Sequence, residues 1–316
     1  MDRAVAADVT DHCSSPLPKT QNGKPRAIMY DFTRYLAAKR NVDDRALNRH
    51  VWQTLAEALG AAAPADRPLR VLEVGAGIGT MVERCVEWGL FASADYTAID
   101  SDESNTRAAR ARLARLTSGD EPALQVRLRT ADLYEFAARK ENRQRFELLI
   151  AHALLDLLHL PAALPGLLGM LRPGGLFYFS INFDGATLFL PEVDPALDSR
   201  IEALYHRSMD TRVTDGKPSG DSRTGRKLFH ALRECGAEVL AAGSSDWVVH
   251  AVDGVYPADE AYFLDCILHF VESTLRGHRE LDAGAFEAWL ATRRRQVARG
   301  ELVYVAHQLD YCGRVD

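Results

Sequence analysis

Three glycines occupy five positions directly after an apolar run in Val71-Leu-Glu73-Val-Gly75-Ala-Gly77-Ile-Gly79-Thr80. A backbone without side chains between a strand and a helix can turn tightly and come close to a ligand. The N–H groups at the helix start then favour anionic or polar ligand atoms. Around this loop, short apolar runs alternate with helical stretches. Strands are predicted at 70–74, 95–99, 124–129, 146–151 and 175–182, with helices such as 79–88 and 103–116 between them. That alternation predicts parallel βαβ units with helices on both faces of a sheet. Residues 172–175, Arg-Pro-Gly-Gly, read as a turn before the fifth strand.

The loop is not a dinucleotide fingerprint, because Thr80 stands where that pattern wants its third small residue. Nor is it a phosphate-binding Walker loop, since no Gly-Lys-Ser/Thr follows. Two more acids keep the same rhythm: Asp100 ends the second strand in Tyr-Thr-Ala-Ile-Asp, and Asp132 follows the third in Arg-Thr-Ala-Asp-Leu. A fourth strand in Phe-Glu-Leu-Leu-Ile-Ala-His and a fifth after Arg-Pro-Gly-Gly complete the order. Taken together over 71–180, these stretches resemble the class I S-adenosylmethionine-dependent methyltransferases.

The resemblance implies a seven-stranded Rossmann-like α/β sheet in the order 3-2-1-4-5-7-6, with only the last strand antiparallel. It implies S-adenosylmethionine as cofactor and S-adenosylhomocysteine as product. Gly75, Gly77 and Gly79 would let the backbone approach the methionine part, and Glu73 would help hold its ammonium. Asp100 would take both ribose hydroxyls, a geometry that two carboxylate oxygens suit. Asp132 would lie near the adenine amino group and Leu133 beside its ring.

Outside this core, residues 1–26 are polar and are expected to be disordered. Residues 27–66 carry a helical pattern over 28–59 and are expected to form a cap; 67–316 form the methyltransferase domain. The rhythm breaks at 184–225, read as an insertion on the substrate side. A helix (226–235), a strand (238–242, resuming at 247–251), two helices (258–276 and 283–299) and a last strand (301–309) follow.

The net charge of -6 over 316 residues gives no global field for nucleic acid. No run of about 18 apolar residues is available to span a membrane, and no signal-peptide pattern opens the chain. Five scattered cysteines without a C-x-x-C pair predict reduced thiols, a cytoplasmic setting and no metal site. A homodimer is compatible with the sequence. The arginines at 107–115 and 293–295 read as solvated helix faces.

The expected acceptor is a small molecule methylated on oxygen or nitrogen. Methylation of RNA or protein, and a non-catalytic cofactor-binding module, are the alternatives. The first is disfavoured by charge and by Ala-His-Ala-Leu where N/D-P-P-Y/F marks many amino-group methyltransferases. Acceptor-facing residues should come from the carboxyl ends of strands four and five, the cap and the insertion. His152 is the candidate general base, since imidazole takes a proton near neutral pH; a core histidine is the plainer reading. Asp156 and Asn182 are candidate acceptor contacts, and Tyr30 and Tyr35, with Phe32, a candidate lid. Tyr205, His206, Arg223 and Arg226, with Arg212, would suit a carboxylate- or phosphate-bearing acceptor.

Overall fold

The computed structural model describes residues 30–62, 64, 66–116, 124–214 and 216–316; the expected tail at 1–26 lies outside them. Two units separate, Met1–Tyr30 and Asp31–Asp316, and the second holds the sheet. It begins with two helices, α1 (Phe32–Ala46) and α2 (Arg49–Ala62). Asp31 starts α1 by accepting the N–H groups of Thr33 and Arg34, and Asn48 starts α2 by accepting that of Val51 at 3.1 Å.

Strand and helix then alternate through β1 (Leu69–Val74), α3 (Thr80–Glu87), β2 (Ala94–Asp100), α4 (Glu103–Leu113), β3 (Leu124–Thr130), α5 (Leu133–Ala138), β4 (Phe146–His152), α6 (Leu160–Leu168) and β5 (Leu171–Leu190). After these come α7 (Pro195–Asp210), a short hairpin of β6 (Val213–Thr214) and β7 (Lys217–Pro218), and α8 (Thr224–Glu234). The chain closes with β8 (Ala237–Ser244), β9 (Trp247–Val249), α9 (Glu260–Leu275), α10 (Ala283–Ala298) and β10 (Val303–Val315).

The main sheet runs β3-β2-β1-β4-β5-β10-β8, the expected order with β8 as sixth and β10 as seventh strand. Strands β1 to β5 pair in parallel, and β10 runs antiparallel to β5, β8 and β9. All seven residues of β4 are buried, as a central strand covered on both faces requires. Leu149, Leu164, Phe177 and Leu228 belong to one core cluster on one side of the sheet.

Three expectations change. The stretch at 172–175 lies inside β5 as a bulge: Phe146 pairs with Leu171 and Leu148 with Leu176, so β5 carries extra residues there. β5 also runs on to Leu190 because β10 pairs along it from Val303↔Leu190 to Arg314↔Leu176. Residues 184–190 are therefore sheet, and the excursion begins after them. The third change is Arg293, which is fully buried rather than solvated; its guanidinium pairs with Asp198 at 2.6 Å and reaches the Pro191 carbonyl at 2.6 Å.

Among the described residues no helix is long and apolar enough to cross a membrane, and no cluster of three or more His, Cys, Asp or Glu could hold a metal ion.

Candidate functional site

A cleft of about 350 Å³ opens at the carboxyl ends of β1, β2 and β4. Open α/β sheets bind ligands at this edge, where the crossovers part on either side of the first strand. Glu73, Gly75, Gly77, Asp100, Asp132 and Leu133 all line it, together with Phe32 and Leu36 from α1. Gly79 is not among the lining residues; it precedes α3 with φ 82° and packs against α4, where a Cβ would stand 2.8 Å from Leu113. Gly75 and Gly77 both have positive φ, and a Cβ on Gly75 would meet Leu154 at 2.7 Å. Only glycine leaves that floor open.

The three acids differ in their surroundings. Glu73 is 2% exposed, accepts the Tyr96 hydroxyl at 2.7 Å, and burial pushes its carboxyl up to about 8. Asp100 is half-buried and braces the loop, accepting the N–H of Gly77 at 2.8 Å and of Asp102 at 2.9 Å. Asn105 donates to it at 3.2 Å, while its own Oδ1 is sealed without a partner. Asp132 caps α5 through the Glu135 N–H at 2.9 Å.

His152 lies on the cleft wall at the end of β4, but both ring nitrogens are engaged inside the protein. Nε2 lies 3.0 Å from Asp43 Oδ2, and Nδ1 lies 2.9 Å from Ser180 Oγ. Burial opposes ionisation of Asp43, yet Lys39, then His152 and Arg84, hold its carboxyl well below the usual range. An ionised Asp43 assigns the proton to Nε2, so Nδ1 accepts the Ser180 hydroxyl. Burial, then Lys39, lowers the imidazole to about 4. Arg84 Nη1 also lies 3.3 Å from Nε2, so the ring is held within the protein on both sides, as a core histidine is. Lys39 Nζ donates to Asp43 at 2.7 Å and Trp247 Nε1 donates to it at 2.9 Å, making Asp43 a hub that sequence patterning did not single out. Its one signal was charge on a buried helix face, since Lys39 and Asp43 share a stripe with Tyr35 and Val42.

The remaining candidates divide. Tyr35 is not a lid residue: it stacks on Phe263 at 5.8 Å and meets Phe270 edge-on at 5.1 Å, packing α1 onto α9. Tyr30 belongs to the separate N-terminal unit. Asn182 is fully buried and donates to the carbonyls of Phe179 and Leu309, bridging the irregular pairing of β5 and β10. Arg226 is bound to Asp184 through Nε and its own N–H, each at 2.8 Å. His206 donates to or accepts from Thr187 at 3.0 Å and packs against Phe183. Arg223 is exposed at the start of α8. Asp156 and Tyr205 are half-buried on the side of the insertion.

Residues 71–175 match a family described as a methyltransferase domain. No curated protein matches the chain. Among solved structures, a protein of Bacillus halodurans provisionally named a methyltransferase shares 13% identity at a TM-score of 0.48, covering 82% of this chain and 97% of its own. A provisionally named type II methyltransferase of Anaeromyxobacter dehalogenans shares 18% at 0.47, over 85% and 97%. The geranyl diphosphate C-methyltransferase of Streptomyces coelicolor A3(2) shares 13% at 0.41, over 83% and 80%. The glycine loop and the acids at the ends of β1 and β2 all fall within residues 71–175, the part of the chain that matches the methyltransferase domain.

Proposed function

We propose that this protein transfers the methyl group of S-adenosylmethionine to an oxygen or nitrogen of a small molecule, with the cofactor held in the cleft above β1 and β2. The observation that carries the reading is one continuous wall bearing Glu73, the open glycine floor, Asp100 and Asp132. The donor set fits such a nucleoside. Asp100 lies where paired hydroxyls would be received, Asn105 Oδ1 is an acceptor in need of a donor, and Asp132 has one oxygen beyond its cap contact.

When bound, the cofactor supplies an electrophilic methyl on a sulfonium. The protein's part is alignment in a site shielded from water. Phe32 and Leu36 cover the glycine loop from α1, and Leu154 closes the side toward β4. The Asp43–His152 contact holds that cap against the sheet. Glu73, largely protonated near neutral pH, lies where an ammonium would draw it into its ionised form.

The test is incubation with methyl-labelled S-adenosylmethionine and a size-fractionated extract of the host. Label in the small-molecule fraction supports the reading, and mass spectrometry then names the product. Label confined to RNA or protein overturns it.

A further inference from the structure

Two charged side chains, those of Asp156 and Arg212, approach one loop beside the cleft without pairing. Asp156 is the middle residue of the 3₁₀ turn Leu155–Leu157 that follows β4. With three residues per turn, Leu154 and Leu157 lie one above the other, and both line the cofactor cleft. Leu155 enters the core, which leaves Asp156 facing a third direction, toward the excursion after β5. Its Oδ1 is sealed from solvent and takes no hydrogen bond.

Across from it, Arg212 follows α7. The residue is half-buried, yet its guanidinium makes no ion pair or hydrogen bond among the described residues. The loop before α8 brings the two together: Asp221 N–H donates to the Asp156 carbonyl at 3.1 Å. A Cβ on Gly220 would stand 3.3 Å from that carbonyl and 3.5 Å from Arg212 Nη1. Tyr205 of α7 lies within electrostatic reach of both; burial pushes its phenol up to about 12, with Arg212 and Asp156 pulling in opposite directions. Burial likewise pushes Asp156 up to about 6, against the pull of Lys39 and Arg212.

A carboxylate oxygen sealed without a partner is costly, and other arginines, of α8 and of α10, find a carboxylate. Arg226 is closed onto Asp184, and Arg293 onto Asp198. Here an arginine and an aspartate approach one loop and remain unpaired.

We propose that Asp156 and Arg212 form the recognition site for the methyl acceptor, and that this acceptor carries a carboxylate for Arg212 and a hydroxyl whose hydrogen Asp156 accepts. The guanidinium fork matches a planar carboxylate. Two nearby cations, Lys39 and Arg212, favour a neutral hydroxyl over an ammonium as the donor to Asp156. This inference rests on the methyl-transfer reading and names its acceptor class.

The test uses full-length protein and three probes by NMR titration: glycolate, acetate and ethylene glycol. Glycolate should bind at least fivefold more tightly than either of the others. Arg212→Gln should erase its advantage over ethylene glycol, Asp156→Ala its advantage over acetate. S-adenosylhomocysteine affinity, measured on the same samples, should be unchanged in both variants and shows that they are folded. Equal affinity for the three probes, including no binding of any, overturns the proposal, as does a preference that survives both substitutions. Failure of the native protein to bind S-adenosylhomocysteine would instead overturn the methyltransferase reading, whatever the glycolate result.

Discussion

Asp43 Oδ2 accepts the Nε2 proton of His152 at 3.0 Å, and that contact ties helix α1 to the end of β4 beside the glycine-loop cleft. The same carboxylate neutralises Lys39, and Arg84 lies 3.5 Å away with no exposed surface. Removing it strands buried cations, which is far more damaging than replacing a whole ion pair. Asp43→Ala should therefore cost about 3–5 kcal/mol. His152→Gln, which keeps a donor for Asp43, should cost about 1–2 kcal/mol. Urea unfolding of the two variants checks the order; equal losses would remove Asp43 from the centre of the cluster.

The imidazole gives this contact a pH signature. His152 titrates near 4 in the fold and near 6.5 when unfolded. The unfolded chain thus binds more protons between those values. The contribution is fully present above about pH 6.5 and is lost as pH falls toward 4. The native protein's advantage over His152→Gln, about 1–2 kcal/mol at neutral pH, should change by about 2–3 kcal/mol over that window, disappearing and then reversing as pH falls toward 4. A difference that does not change with pH would mean that His152 is protonated in the fold.

The contrast between loop and hub shows what patterning could reach. Glu73, Gly75, Gly77 and Asp100 sit at the carboxyl ends of short apolar runs, and a parallel sheet brings such ends to one edge whatever the loops do. Asp43 and His152 are 109 residues apart, and no local period links them. Ile181 shows the same limit within β5. Its φ is 57°, rare for a β-branched residue. The conformation is held by Asp310 Oδ1, which accepts the Ile181 N–H at 2.7 Å from another strand. Arg293 was misjudged for a related reason: three consecutive arginines read as a solvated face, but a helix turns one of every three or four residues inward, and Asp198 meets it there.

Glu73 carries the opposite sign from His152. Its folded carboxyl keeps a proton that the unfolded chain loses above about 4.5, so stability falls as pH rises from there to about 8 and the deficit is complete beyond it. Glu73→Gln keeps an acceptor for Tyr96 and has no such loss. The variant should match the native protein at pH 5 and exceed it by on the order of 3 kcal/mol at pH 9. Chemical denaturation at the two pH values decides; a parallel decline in both proteins would show Glu73 to be ionised throughout.

Asp100 holds the Gly77 N–H and is the proposed partner of the ribose hydroxyls. Asp100→Ala should weaken S-adenosylhomocysteine binding by about 100-fold, roughly 3 kcal/mol for lost charge-assisted hydrogen bonds. Asp100→Asn, which can still accept the Gly77 N–H, should lose about tenfold. Calorimetric titration measures both, and unchanged affinity in Asp100→Ala would put the nucleoside elsewhere.

Asp156 should reveal its role through stability as well. Its carboxyl is raised to about 6 by burial, although Lys39 and Arg212 oppose this. Ionising it in the fold is a penalty that grows as pH rises from about 4 and is complete above about 6. Asp156→Ala removes that penalty along with an unsatisfied oxygen. Because the residue is partly exposed, the gain is screened to about 1–2 kcal/mol at pH 7, and it should vanish near pH 4. Denaturant midpoints at the two pH values test this. A variant that is less stable at pH 7 would mean that Asp156 supports the fold, whereas one that is more stable but has lost its preference for a hydroxylated probe would mark a residue kept for its ligand.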